Sequence, residues 1–122
     1  IARNPLISFP YVCSKLIGYD LVNLGVPNLG YTVDATDTSF LNRTLPQVLQ
    51  NNSFEGAELV TVALGTNDYG RNGTLGAISD NSSVNSVYGR FKLVVATLTE
   101  KCPTARIIFF TLSYLPVNHL LT

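Results

Sequence analysis

Residues 58–68 read Glu-Leu-Val-Thr-Val-Ala-Leu-Gly-Thr-Asn-Asp, and this stretch constrains the fold more than any other. An apolar run rich in branched side chains predicts a buried strand over Glu58–Leu64. It stops at Gly65-Thr66-Asn67-Asp68, four residues that favour a turn over further strand. In an open α/β sheet, ligands bind just outside the carboxyl ends of the strands. Asn67 and Asp68 therefore fall where chemistry is expected, although the same residue types also serve a plain strand-to-loop turn.

The order of the other elements completes an architecture. A helix is predicted from about Ser8 to Ile17, with Pro10 in its first turn and Gly18 as its stop. Asp20–Leu24 reads as a short strand ending at Gly25, followed by a loop over Val26–Gly30. A short helix is predicted near Thr44–Asn51, capped by Thr44 with Pro46 in its first turn. After the Glu58–Leu64 strand, a Gly/Asn-rich loop is expected from Gly65 to about Asn81. The strongest helical pattern follows, with Ser82 or Ser83 as cap and an apolar stripe of Val84, Val87, Tyr88, Phe91, Val94, Val95 and Leu98. It ends near Lys101-Cys102-Pro103, and Ala105–Leu112 is a further apolar strand. Helix–strand–helix–strand–helix–strand is the alternation of a doubly wound parallel sheet with helices on both faces. Its crevice would be lined by the loops after Leu24, Leu64 and Leu112.

Composition narrows the function. The chain has 122 residues, enough for one modest core. Eight basic residues balance eight acidic ones without clustering, so no nucleic-acid footprint is present. The apolar runs are too short to span a bilayer. Two cysteines, Cys13 and Cys102, and one histidine, His119, offer neither a disulfide framework nor a zinc site, and both thiols read as small buried hydrophobes. No metal or other cofactor is expected. Asn-x-Ser/Thr sequons occur at Asn42, Asn51, Asn72 and Asn81, and they matter where secreted proteins are glycosylated. The compartment is left open, with an extracellular one favoured.

Three features together resemble the SGNH hydrolases, also called GDSL lipases or esterases. Val22-Asn23-Leu24-Gly25-Val26 with Gly30 following looks like the second block of that family. Gly65-Thr66-Asn67-Asp68 after an apolar strand matches its Gly-x-Asn-Asp third block. A Ser-Phe-Pro helix precedes these blocks, and a Pro-Thr-Ala-Arg-Ile-Ile strand follows the long helix. The resemblance implies a flavodoxin-like three-layer α/β/α fold. It also implies acyl transfer on a serine nucleophile, with a histidine base oriented by an aspartate three residues before it. By position, the Gly25 N–H and the Asn67 side-chain amide become oxyanion-hole donors, and Asp68 becomes a brace for the loop.

The nucleophile block Gly-Asp-Ser and the Asp-x-x-His block are missing from these residues. The expectation is a single SGNH-type domain over residues 1–122, truncated at both ends, with the first and last strands absent and only the oxyanion half of the site present. Ser113 and His119 are the remaining candidates for nucleophile and base, and loop roles suit both better. His119 has Pro116, not aspartate, three positions before it. The implied substrates are small O-acyl esters, such as acetyl groups on sugars or lipid esters. The alternative is a non-catalytic carbohydrate- or ligand-binding domain on the same scaffold. In the strand order 2-1-3-4-5 a missing first strand leaves a gap mid-sheet. That gap is expected to be filled by a complementing segment, next by a second copy, and last by direct pairing of Asp20–Leu24 with Glu58–Leu64.

Overall fold

The computed structural model describes residues 8–111. Helix α1 (Phe9–Ile17) has Pro10 in its first turn and stops at Gly18, which adopts the left-handed conformation with φ 73°. Residues 19–26 belong to no helix and join no ladder, so the strand expected at Asp20–Leu24 is not formed among the described residues. A strand needs a neighbour that takes its backbone hydrogen bonds, and among the described residues this segment pairs with no strand. Helix α2 (Leu45–Gln50) starts with a reciprocal cap, in which Thr44 accepts from the Gln47 N–H and Gln47 from the Thr44 N–H. At its other end the Lys101 ammonium donates to the carbonyls of Leu49, Gln50 and Asn52 at 2.6, 3.3 and 2.7 Å. A cation there complements the negative end of the helix dipole.

Strand β1 (Leu59–Val62) leads into a short helix, α3 (Thr66–Gly70), where loop was expected. At five residues α3 is too short to stand on propensity, and contacts from a distant loop hold it. Helix α4 (Val87–Lys101) begins later than expected because its cap is Ser86 rather than Ser82 or Ser83. Asn81 takes the Ser83 N–H and hydroxyl into a local turn, which removes that stretch from the helix. Ser86 is buried, donates to Asp80 Oδ2 at 2.6 Å and accepts from the Gly89 N–H at 3.0 Å. Strand β2 (Arg106–Phe109) then pairs with β1 in parallel, Leu59 opposite Arg106 through Val62 opposite Phe109.

The core lies on one face of this pair. Val60, Val62, Ile107 and Phe109 pack there with Leu45 and Leu49 of α2 and with Val94, Leu98 and Cys102 at α4. Of the stripe expected on α4, Val94 and Leu98 are each only 1% exposed, whereas Phe91 and Val95 are left exposed. The other face meets α1. The Phe9 ring contacts Phe110 edge-on at 5.4 Å, and Phe9, Pro10, Cys13 and Ile17 line a groove with Leu59 and Thr61. Both cysteines are free, with Cys102 in the core and Cys13 half-buried in that groove instead of fully buried.

Ser86→Ala is expected to cost about 1–2 kcal/mol, the worth of an N-cap, seen as a lower urea midpoint at unchanged slope. Hydrogen bonds from the Ser86 hydroxyl and the Ala77 N–H hold the Asp80 carboxyl below its ordinary pKa. A group lowered in the folded state stabilises fully above its unfolded pKa, and the contribution is lost as pH falls through the folded value. Stability should therefore decline in acid, from about pH 4 downward. Asp80→Asn should flatten that limb, and an identical acid limb in the variant would contradict the linkage.

Candidate active site

At the carboxyl end of β1 the chain turns through Gly65, whose φ of 110° admits no ordinary side chain without strain. That turn starts α3, and the helical spacing sets Asn67, Asp68 and Arg71 against the loop that follows Gly25. The Asn67 amide donates to the Leu29 carbonyl at 2.8 Å. The Asp68 carboxylate, only 4% exposed, accepts from the Tyr31 N–H (2.7 Å), the Thr32 N–H (2.7 Å) and the Thr32 hydroxyl (2.8 Å). Arg71 donates to the carbonyls of Asn28 (2.9 Å) and Asp34 (2.8 Å). One helical turn thus clasps residues 28–34 from three side chains.

Packing explains why Gly30 stands in this loop. A Cβ there would come within 2.4 Å of Asp68 Oδ2 and 2.7 Å of Val33. The loop can approach the carboxylate only without a side chain at that position. Burial first, and the negative charge of Asp68 second, push the Tyr31 phenol above its ordinary pKa, so it is neutral at physiological pH.

Gly25 sits four residues before Leu29, the residue that the Asn67 amide grips. Its N–H donates to Asn23 Oδ1 at 2.9 Å, an exposed local contact. The carbonyl of Leu29 takes one of the two Asn67 amide hydrogens and leaves the second. Ser113 and His119, the low-ranked candidates for nucleophile and base, lie outside the described residues, as does Leu112 at the end of the expected strand. Among the described residues no group of His, Cys, Asp or Glu could hold a metal ion, and no helix is long and apolar enough to cross a membrane. Sequence reasoning missed Arg71, Thr32 and Tyr31. The i, i+3 and i, i+4 spacing of Asp68, Asn67 and Arg71 would have grouped them had residues 66–71 been read as helix.

A model of the GDSL-like lipase/acylhydrolase family matches residues 3–121. The chain belongs to this family. The match spans both blocks that carry the resemblance, and it supports esterase or acylhydrolase chemistry as the general kind of activity. The chain has no significant match among curated proteins or solved structures.

Proposed function

We propose that this chain supplies the oxyanion half of an SGNH-type ester-hydrolysing site, with the Asn67 amide and the Gly25 N–H as donors. The observation that carries the reading is the Asn67 contact: a neutral amide just beyond the carboxyl end of β1, held in one orientation by the Leu29 carbonyl. When a serine attacks an ester carbonyl, its oxygen gains negative charge. A pre-oriented donor stabilises that charge without reorganisation and is worth on the order of 3 kcal/mol. Gly25 contributes a second donor once the Asn23 side chain swings away, at a net cost of roughly 1 kcal/mol or less for an exposed hydrogen bond. Collapse of the tetrahedral intermediate expels the alcohol and leaves an acyl-serine, which water cleaves. Asp68 and Arg71 act on the loop and do not reach the reacting atoms.

The doubly wound, three-layer reading is supported by helices on either side of β1 and β2, α1 on one face and α2 with α4 on the other. The nucleophile is proposed to arrive on a strand that pairs with the open edge of β1. Arg106 and Phe110 donate to the carbonyls of Glu58 and Val62 at 2.9 Å each, so even-numbered residues of β1 face β2. Leu59 and Thr61 therefore direct their backbone groups to the opposite edge, beside the groove formed with α1 and residues 19–21. The substrates proposed are small O-acyl esters of carbohydrates or lipids.

The test is turnover of acetylated sugars and short-chain p-nitrophenyl esters. The 122-residue chain alone is expected to show none above background, because donors without nucleophile and base act as an incomplete unit. A longer form that adds the nucleophile strand and the Asp-x-x-His block is expected to hydrolyse them. Saturable hydrolysis by the short chain, abolished by Ser113→Ala or His119→Ala, would overturn this division of the site. Tight binding of acetylated sugar by the longer form without turnover would favour a non-catalytic domain.

A further inference from the structure

The described asparagines use their side-chain amides in different ways. The amide nitrogens of Asn28, Asn52 and Asn67 donate into the fold, to Thr36, the Val48 carbonyl and the Leu29 carbonyl. None of these three begins an Asn-x-Ser/Thr triplet. Of the four that do, Asn72 and Asn81 are exposed and leave their amide nitrogens unused among the described residues. Asn72 follows α3 in the left-handed conformation, with φ 55°. Asn81 spends only its oxygen, accepting the Ser83 N–H at 2.9 Å and the Ser83 hydroxyl at 2.5 Å.

Between them runs a segment whose apolar side chains face outward. Its backbone is tied to α4, with Val87 and Tyr88 donating to the carbonyls of Thr74 and Leu75, and Lys92 to those of Ile78 and Asp80. Leu75 is nevertheless 61% and Ile78 77% exposed. A fixed loop therefore holds two large aliphatic side chains against water between the two sequon asparagines.

We propose that Asn72 and Asn81 are N-glycosylated and that the two glycans shield Leu75 and Ile78. The Asn amide nitrogen attacks the anomeric carbon of a lipid-pyrophosphate-linked oligosaccharide on its transferase. The N–C bond forms, the bond from that carbon to the pyrophosphate oxygen breaks, the lipid pyrophosphate leaves with the electron pair, and the amide proton passes to a base. Among the described residues neither amide nitrogen has a hydrogen bond to break when it takes the sugar, and a glycan is bulky and solubilising at a surface. Asn51 differs, because its nitrogen donates to Asn42 Oδ1 at 2.7 Å.

The experiment is peptide mapping of the protein from its native source after peptide-N-glycosidase treatment in heavy-oxygen water. Labelled aspartate at positions 72 and 81 is the expected result, with Asn72→Gln and Asn81→Gln each removing one glycan from the intact mass. Enzymatic deglycosylation of the folded protein should lengthen its retention on a hydrophobic-interaction column. The Leu75→Ser, Ile78→Ser double variant should abolish that change. Unmodified asparagine at both positions, or labelling confined to Asn42 and Asn51, would overturn the proposal, as would retention that deglycosylation leaves unchanged.

Discussion

Replacing Asp68 by alanine is expected to destabilise the protein by about 3 kcal/mol and to lower its thermal midpoint by on the order of 10 °C. The carboxylate is buried and satisfies the backbone N–H groups of Tyr31 and Thr32 together with the Thr32 hydroxyl. Alanine leaves those donors facing a small void. A buried donor without a partner costs roughly 1–3 kcal/mol. Asp68→Asn should fall between, since the amide keeps one acceptor but sets its NH2 against an N–H. Gly30→Ala should act through the same contact from the other side, because its Cβ would lie 2.4 Å from Asp68 Oδ2. The double variant should then cost less than the sum of the singles, the behaviour of neighbours that share one interaction. Denaturant unfolding measures all four proteins. A loss below about 1 kcal/mol for Asp68→Ala would show that the clasp does not hold the loop.

The elements legible in the sequence are those whose signals are local and redundant. α1 shows Pro10 at its start and Gly18 at its end, and α2 shows Thr44 and Pro46. β1 and β2 show runs of branched residues. α1, α2 and β1 lie where those signals put them, within a residue or two, whereas β2 stops at Phe109, short of the expected Leu112, which lies outside the described residues. Three features were hidden for separate physical reasons. α3 carries Asn, Asp and Gly, which favour turns, and it forms because Asp68 and Arg71 have partners some forty residues away. The start of α4 depends on which serine is buried, and Ser86 wins because Asp80 supplies a second partner for its hydroxyl. Asp20–Leu24 has the composition of a strand, but strand formation is a property of a pair, and among the described residues it pairs with no other strand. For the site, the motif locates Asn67 and Asp68. The clasp around residues 28–34 comes only from the three-dimensional arrangement, as does the engagement of the Gly25 N–H by Asn23.

Asn67→Ala carries the largest expected effect on rate. In an active form of the protein it should lower kcat by roughly two to three orders of magnitude, the worth of one oxyanion donor, and leave KM nearly unchanged. The lost hydrogen bond to the Leu29 carbonyl should cost only about 1 kcal/mol of stability, too little to account for the rate. Asp68→Asn serves as the comparison, because it weakens the clasp without removing the donor and should reduce stability more than kcat. The decisive measurement is therefore kcat for a short-chain ester in wild type and Asn67→Ala at a temperature where both are fully folded. A fall of about 100-fold or more supports Asn67 as the donor to the developing oxyanion. An unchanged kcat in the folded variant would contradict the account and leave Asn67 as a loop anchor alone.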